Sequence, residues 1–383
     1  MKILMVHPQD IFSLSEPWTV RIKKIAQEFV KKGHKVKLVY FPLGNKDLVD
    51  KILRGVETIP FCRKKWAVFK NIKKMKELGK WADVIHFQKC FHYAALPALF
   101  ASYFSNKPIH YDWDDWEYKI YESGCPSKLI GYYLDLLERT IPKLADTTSV
   151  ASSHLKKLAL SLEVSNERIV YAHVGADLEL FNPQVDGSSI RDRYGISKHL
   201  VLYQGQLHGS QYAELFINSA ELILKSNENI TFMVVGGGYD LNRLMNLVKS
   251  KGIVDKVIFT GFVEHEEVPL YIAASDVVVA CFEDNEITRC KSPLKIAEYM
   301  ASGKAIVASD VGEVKNMAGE ACLLTKPGDA NSLAKGILTL LKNKNLRRSM
   351  GKQARKRAEK LYNWHVTSDN LLKAYSIALK QNG

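Results

Sequence analysis

The sequence predicts an α/β chain of two doubly wound domains, each a parallel sheet flanked by helices. Two observations carry this. Short apolar runs of strand length alternate with amphipathic helical stretches from end to end, the pattern of βαβ units rather than of hairpins. The length of 383 residues suits two domains of ordinary size, each with its own core. No internal repeat appears, so a solenoid is excluded.

The first series opens with "KILMV" at 2–6, an apolar run too short for a signal peptide and suited to a buried strand. A helix follows over Thr19–Lys32, with Gly33 as its C-cap. "HKVKLVYF", "DVIHF" (83–87), "PIHYD" (108–112) and "ADTTSVAS" (145–152) are the next strands, the last leading into a Ser-capped helix from Ser153. The stretch "VGADLELFNPQVDGSS" (174–189) has Pro, Gly and Ser and little periodicity, and marks the domain boundary. A second series runs through "HLVLYQG" (199–205), "NITFMVVGGG" (229–238), "KVIFTGF" (256–262), "ASDVVVACF" (274–282), "KAIVAS" (304–309) and "ACLLT" (321–325). The expected domains are 1–175 and 176–365, followed by an amphipathic C-terminal helix over 366–383.

Composition is that of a globular protein, 46% hydrophobic and 25% charged. The most apolar segment, Tyr93 to Phe104, is too short to span a bilayer and is interrupted by Pro97. The six cysteines are scattered without a CxxC pair, which argues against a zinc site or disulfide framework and fits a reducing cytoplasm. A net charge of +13 favours anionic partners. Charge without a recognised motif is a weak sign of nucleic-acid binding. Residues 61–80 concentrate eight Lys and Arg against the single acid Glu77, with Trp66, Phe69, Ile72 and Met75 at helical spacing. Such a helix could lie on an anionic membrane, here the inner face of the plasma membrane, or turn its apolar stripe to the sheet.

In open α/β sheets ligands bind beyond the carboxyl ends of the strands, so the polar residues there are the candidates. "VVGGGYDLNRL" (234–244) places three glycines, Gly236 and Gly238 among them, between strand and helix. They serve either a tight turn or a ligand loop. "YQGQLHGSQ" offers Gly205, Gln206 and Gln211 after another strand. In "TRCKSPLKIAEYMASGKAIVAS" (288–309), Ser292 reads as an N-cap and Pro293 as the first helical residue. That helix start, flanked by Arg289, Lys291 and Lys295, is suited to a diphosphate. Lys295 and Glu298 share one helix face.

These pieces, in this order, resemble the retaining GT-B glycosyltransferases close to family 4, the glycosyl transferases group 1. The matching stretches include "KKGHKV", "ADVIHF", "VGADLELFNP", "LYQGQL", "VIFTGFVEHEEVPLYIAASDVVV" and "SPLKIAEYMASGKAIVAS", and they span nearly the whole chain. The resemblance implies two Rossmann-like domains facing across a cleft, the C-terminal helix packing back on the N-terminal domain. It implies a nucleotide-diphosphate sugar bound by the C-terminal domain, an acceptor bound by the N-terminal one, and no cofactor or metal. By the same resemblance Glu298 holds ribose hydroxyls. Residues Ser292, Pro293, Leu294 and Lys295 bind phosphate, and Gly261, Phe262 and Val263 lie beside the base.

The departures are specific. The first glutamate of the family's Glu-x7-Glu motif falls at Cys290, and the Arg and Lys that neutralise the leaving diphosphate fall at Gln206 and Gln211. Arg289, Lys291 and Lys295 are the substitutes, as in relatives with the same Ser-Pro-x-Lys block. Arg289 and Lys295 are therefore expected to be catalytic, stabilising the charge that grows on the leaving group. A catalytically weak sugar-nucleotide-binding or scaffold subunit is the competing reading. The N-terminal Gly-Gly loop is replaced by "SEPWTVR" (15–21), leaving the acceptor to side chains such as Trp18, Arg21, His86 and Trp113. In "YDWDDWEY" (111–118), Asp114 stands where the family has a histidine that contacts the donor sugar. It is expected to accept sugar hydroxyls or take the acceptor's proton, or else to cap the next helix.

Overall fold

The computed structural model describes residues 1–13, 16–44, 52–124, 127–208, 212–226 and 229–382. The chain divides into two compact units, Met1–Val174 with Trp364–Gly383, and Gly175–Asn363.

The N-terminal unit holds strands β1 (Lys2–Val6), β2 (Lys35–Tyr40), β3 (Glu57–Pro60), β4 (Val84–Gln88), β5 (Ile109–Trp113), β6 (Thr147–Val150) and β7 (Ile169–Tyr171). They form one sheet in the order β3-β2-β1-β4-β5-β6-β7, parallel at every pairing. β4 and β5 are buried along their whole length, because a parallel sheet is covered on both faces and its central strands read as unbroken apolar runs. The two edge strands, β3 and β7, are absent from the expected list. β3 is "ETIP", polar with a terminal proline, an edge composition that gives no strand signal.

The helix Val20–Lys31 ends where Gly33, at φ +81°, donates its amide to Val30. The apolar segment is one helix, His92–Ser105, which runs through Pro97 rather than breaking at it. Among the described residues no helix is long and apolar enough to cross a membrane.

The C-terminal helix, Trp364–Asn382, packs on this unit. Its Tyr375 hydroxyl lies 2.8 Å from His86 Nδ1, and its ring packs on His86, His110 and Phe29. Lys32 pairs with Asp369 at 2.5 Å, and Thr367 donates to the His173 carbonyl.

The C-terminal unit repeats the plan with β8 (His199–Gln204), β9 (Ile230–Val235), β10 (Val257–Gly261), β11 (Val277–Ala280), β12 (Ile306–Ser309) and β13 (Cys322–Thr325). Their order is β10-β9-β8-β11-β12-β13, again all parallel. Both orders reverse direction once, beside β1 and β8. The crevice for a ligand therefore lies past the carboxyl ends of β1 and β4 in one unit and of β8 and β11 in the other. The five described cysteines are free thiols.

Candidate active site

In the C-terminal unit the helix Leu294–Ala301 follows Lys291–Pro293, and the expected cap is displaced by one residue. Pro293 is the N-cap, while the Ser292 hydroxyl turns to Met317 Sδ at 3.5 Å. A proline has no amide to offer, so the anion-facing donors begin at Leu294. The Leu294 and Lys295 amides have no acceptor among the described residues, which leaves them for a ligand.

Lys295 projects from this first turn. Its ammonium stands 4.2 Å from the centre of the Tyr203 ring and 5.6 Å from that of Phe282. It has no carboxylate or hydrogen-bond partner among the described residues. Burial pushes its pKa down to about 8, and nearby Lys291 pushes the same way. A cation desolvated without a counter-ion is costly, and an anionic ligand would relieve that cost. A side chain at Gly205 would meet this ammonium, since an added Cβ falls 2.8 Å from Lys295 Nζ.

Glu298 is buried in the same helix. His265 Nε2 lies 2.6 Å from one carboxylate oxygen, and Gln204 Nε2 donates to the other at 2.8 Å. Gln204 Oε1 is buried without a partner. The three residues form one linked group at the end of β8, of which only Glu298 was among the expected site residues. Gln204 was legible as the last residue of a strand.

Gly236 and Gly238 have a packing reason of their own. An added Cβ at Gly236 falls 2.0 Å from the Gly205 carbonyl, and at Gly238 2.3 Å from that of Leu207. They let the loop after β9 close on the loop after β8, which is the tight-turn alternative. Phe262 is half exposed and Val263 half-buried beside the same loops, with the Phe262 amide 3.1 Å from an added Cβ at Gly237.

One expected cation is not brought to Lys295. Arg289 sits on the helix Glu286–Cys290 with its guanidinium bonded to Asp284 at 2.6 and 3.0 Å, half exposed. Its charge is committed to that carboxylate because Asp284 lies just before the helix. Gln206 is exposed, and Gln211 lies outside the described residues. Cys290 is fully buried.

In the N-terminal unit the octapeptide 111–118 separates by strand alternation and capping. Tyr111 and Trp113 are buried. The Trp113 indole donates to Glu138 at 2.9 Å, and Glu138 also accepts the Glu117 and Tyr118 amides at 2.9 and 2.8 Å. Glu138 therefore caps the helix Glu117–Gly124, and burial pushes its pKa up to about 8. The cap is not Asp114. Trp113 is core rather than an acceptor platform, because the strand turns it to the covered face.

Asp112 is held by Arg21 at 2.8 Å through two nitrogens and by the Ser149 hydroxyl at 2.5 Å. Arg21 also donates to the Ala172 carbonyl, and its side chain is 4% exposed. Arg21 is thus the buried counter-ion of Asp112, while its Nη1 is buried without a hydrogen-bond partner. His86 is likewise interior. It stacks near His110 beneath Tyr375, and burial pushes its pKa down to about 4. Of the four expected acceptor contacts only Trp18 remains at the surface, 40% exposed on the turn Pro17–Thr19.

Asp114 does reach the ligand end of the sheet. Gln88 Nε2 donates to its Oδ2 at 2.6 Å, and Gln88 Oε1 lies 2.9 Å from His7 Nδ1. Its Oδ1 is buried with no hydrogen-bond partner. Burial pushes the carboxyl up to about 7 against the pull of Lys89. Asp114, Asp115 and Glu117 offer oxygens within 4.8 Å of one another, the spacing of a cation site. The Lys89 ammonium stands among them, 3.5 Å from Asp114, 3.9 Å from Asp115, and bonded to Glu117. Lys89 was not among the expected residues, although its place directly after a strand was a signal.

Two doubly wound units with ligand-facing loops at the strand switch points define an α/β architecture of the GT-B kind. Solved structures agree over nearly the full chain. A glycosyltransferase from Rickettsia africae superposes with a TM-score of 0.76 at 16% identity, covering 99% of this chain and 98% of that one. The Anabaena protein HepE, solved with UDP and glucose, does so with a TM-score of 0.77 at 17% identity, covering 98% and 99%. These likenesses show the fold.

Residues 188–357 match the family model described as glycosyl transferases group 1. An uncharacterized glycosyltransferase of Methanocaldococcus jannaschii is 26% identical over 310 residues, 79% of this chain and 76% of that protein. An alpha-D-kanosaminyltransferase of Streptomyces kanamyceticus is 26% identical over 191 residues, about half of each chain at 49% and 48%. The domain match lies within the C-terminal unit, and the fold of the whole chain is of the GT-B kind.

Proposed function

We propose that the chain transfers a sugar from a nucleotide-diphosphate sugar to a glycan or lipid-linked acceptor with retention of anomeric configuration. The C-terminal unit holds the donor and the N-terminal unit the acceptor, on or near an anionic membrane surface. The observation that carries this is the unpaired Lys295 ammonium at the open start of the helix Leu294–Ala301. That arrangement is complementary to a leaving diphosphate and grows more favourable as negative charge develops. Lys291 adds positive potential. The HepE structures with UDP, and with UDP-glucose, support a nucleotide-sugar as the class of donor. Asp114, whose Oδ1 accepts no hydrogen bond, takes the acceptor's proton.

The second reading, a nucleotide-sugar-binding subunit with weak turnover, draws on Cys290 at a glutamate position and on Arg289 being committed to Asp284. One experiment separates the two. Purified protein is offered UDP-, GDP- and ADP-sugars with a glycan acceptor pool, and Lys295→Ala is compared. Transfer from one donor, lost by on the order of a hundredfold or more in Lys295→Ala, supports the enzyme. Calorimetric binding without turnover supports the second reading, and no binding at all sinks both.

A further inference from the structure

The geometry points to Lys89 as the residue that positions Asp114. We propose that its ammonium occupies the centre of the Asp114–Asp115–Glu117 cluster as a built-in cation, aiming the Asp114 carboxylate with one oxygen free of hydrogen bonds. This rests on the reading of Asp114 as the group that takes the acceptor's proton.

Lys89 directly follows β4, whose last residue Gln88 is in register with Asp112 of β5. The register brings Lys89 beside the end of β5, where Asp114 and Asp115 follow. Its backbone is in the left-handed region at φ +65°, unfavourable for a side chain larger than glycine and retained where the surroundings enforce it. The side chain is 4% exposed, so the charge is spent inward. Gln88 fixes Asp114 Oδ2 from the same segment, and Lys89 approaches Oδ1 at 3.5 Å without a hydrogen bond. One carboxylate oxygen is anchored by a neutral amide, and the other is buried, stabilised by charge and free of hydrogen bonds.

The groups that face Asp114 are Lys89, Asp115 and Glu117 in the cluster, Asp112 on its own strand, Arg21 from the helix Val20–Lys31, and His7 through Gln88. Lys89 is the cation in contact. Removing it leaves carboxylates to repel one another, so Asp114 binds its proton more tightly and ionises at higher pH.

The test compares Lys89→Met and Lys89→Arg with the unmodified chain. The ionisation of Asp114 is read without substrate from its carboxyl carbon signal, assigned with Asp114→Asn, and the pH dependence of kcat/KM is read separately. In Lys89→Met the Asp114 midpoint and the acid limb of the rate profile should both move up by about one to three pH units. Lys89→Arg should restore most of both. If Lys89→Met does not fold, Lys89→Met with Glu117→Gln removes the cation together with the acid it bonds, and an upward shift smaller than that of Lys89→Met alone is expected. An Asp114 midpoint unchanged to within a few tenths overturns the proposal. A shifted midpoint with an unshifted rate profile leaves Lys89 organising the carboxylate and removes Asp114 as the base instead.

Discussion

Arg21 and Asp112 show how a residue's role depends on a partner the sequence does not announce. In "SEPWTVR" an arginine stands three residues after a tryptophan, and the reading from sequence is an acceptor contact. Its partner lies 91 residues away in the chain, and only the folded N-terminal unit brings them together. The pair is buried at 4% and 0% exposure, so removing one member strands the other. Arg21→Met should cost about 3–5 kcal/mol, measured by denaturant unfolding. An unchanged unfolding midpoint with weakened acceptor binding would return Arg21 to the site. Trp113 and His86 were misplaced for the same reason, since alternation along a strand shows which residues share a face and not which face is covered. Lys295 and Glu298 were legible because a motif local to one helix start carries its own geometry.

At the scale of the element, the apolar stripe of the basic segment divides between two faces. The helix is Val68–Trp81, and it buries Asn71, Met75 and Gly79, so of Trp66, Phe69, Ile72 and Met75 only Met75 is fully buried. Trp66 and Phe69 are 73% and 84% exposed among the lysines. Asn71 is drawn inward because its amide donates to the Cys62 carbonyl at 2.8 Å. Arg63 is drawn inward by Glu16 at 2.9 Å. Lys76 lies over Phe104 of the neighbouring helix His92–Ser105, where Tyr103 is 81% exposed. Outward aromatics among lysines are the makings of an interfacial surface. Trp66→Ala with Phe69→Ala should leave the fold intact and weaken binding to vesicles containing anionic lipid about tenfold or more. Co-sedimentation measures it, and no binding of the unmodified chain at low salt would end the membrane reading.

At the scale of the molecule, the N-terminal unit carries an acid liability. His86 ionises ordinarily at 6.5 and is pushed down to about 4 by burial, and His7 is pushed down to about 3. Through these two groups the unfolded chain binds more protons below about pH 6.5. Asp114 and Glu138, raised to about 7 and 8, bind protons in the folded chain and offset this down to about pH 5, so stability falls mainly from there toward 4. Asp112, held down by Arg21, adds a loss at still lower pH. Amide exchange should show the amides of β1, β4 and β5 losing protection between about pH 5 and 4 faster than those of β8, β9 and β11. Equal loss in both units would contradict it.

The strand–helix alternation and the start of the helix Leu294–Ala301 were readable from residues alone, because each is written in neighbours a few positions apart. The Lys89 cluster, the Arg21–Asp112 pair and the outward face of the basic helix were not. Each depends on which strands lie side by side and which face a helix covers, and parallel strands are joined only through long crossovers. Residues tens of positions apart meet there, and burial then sets which charge is paired, which is shifted, and which is left for a ligand.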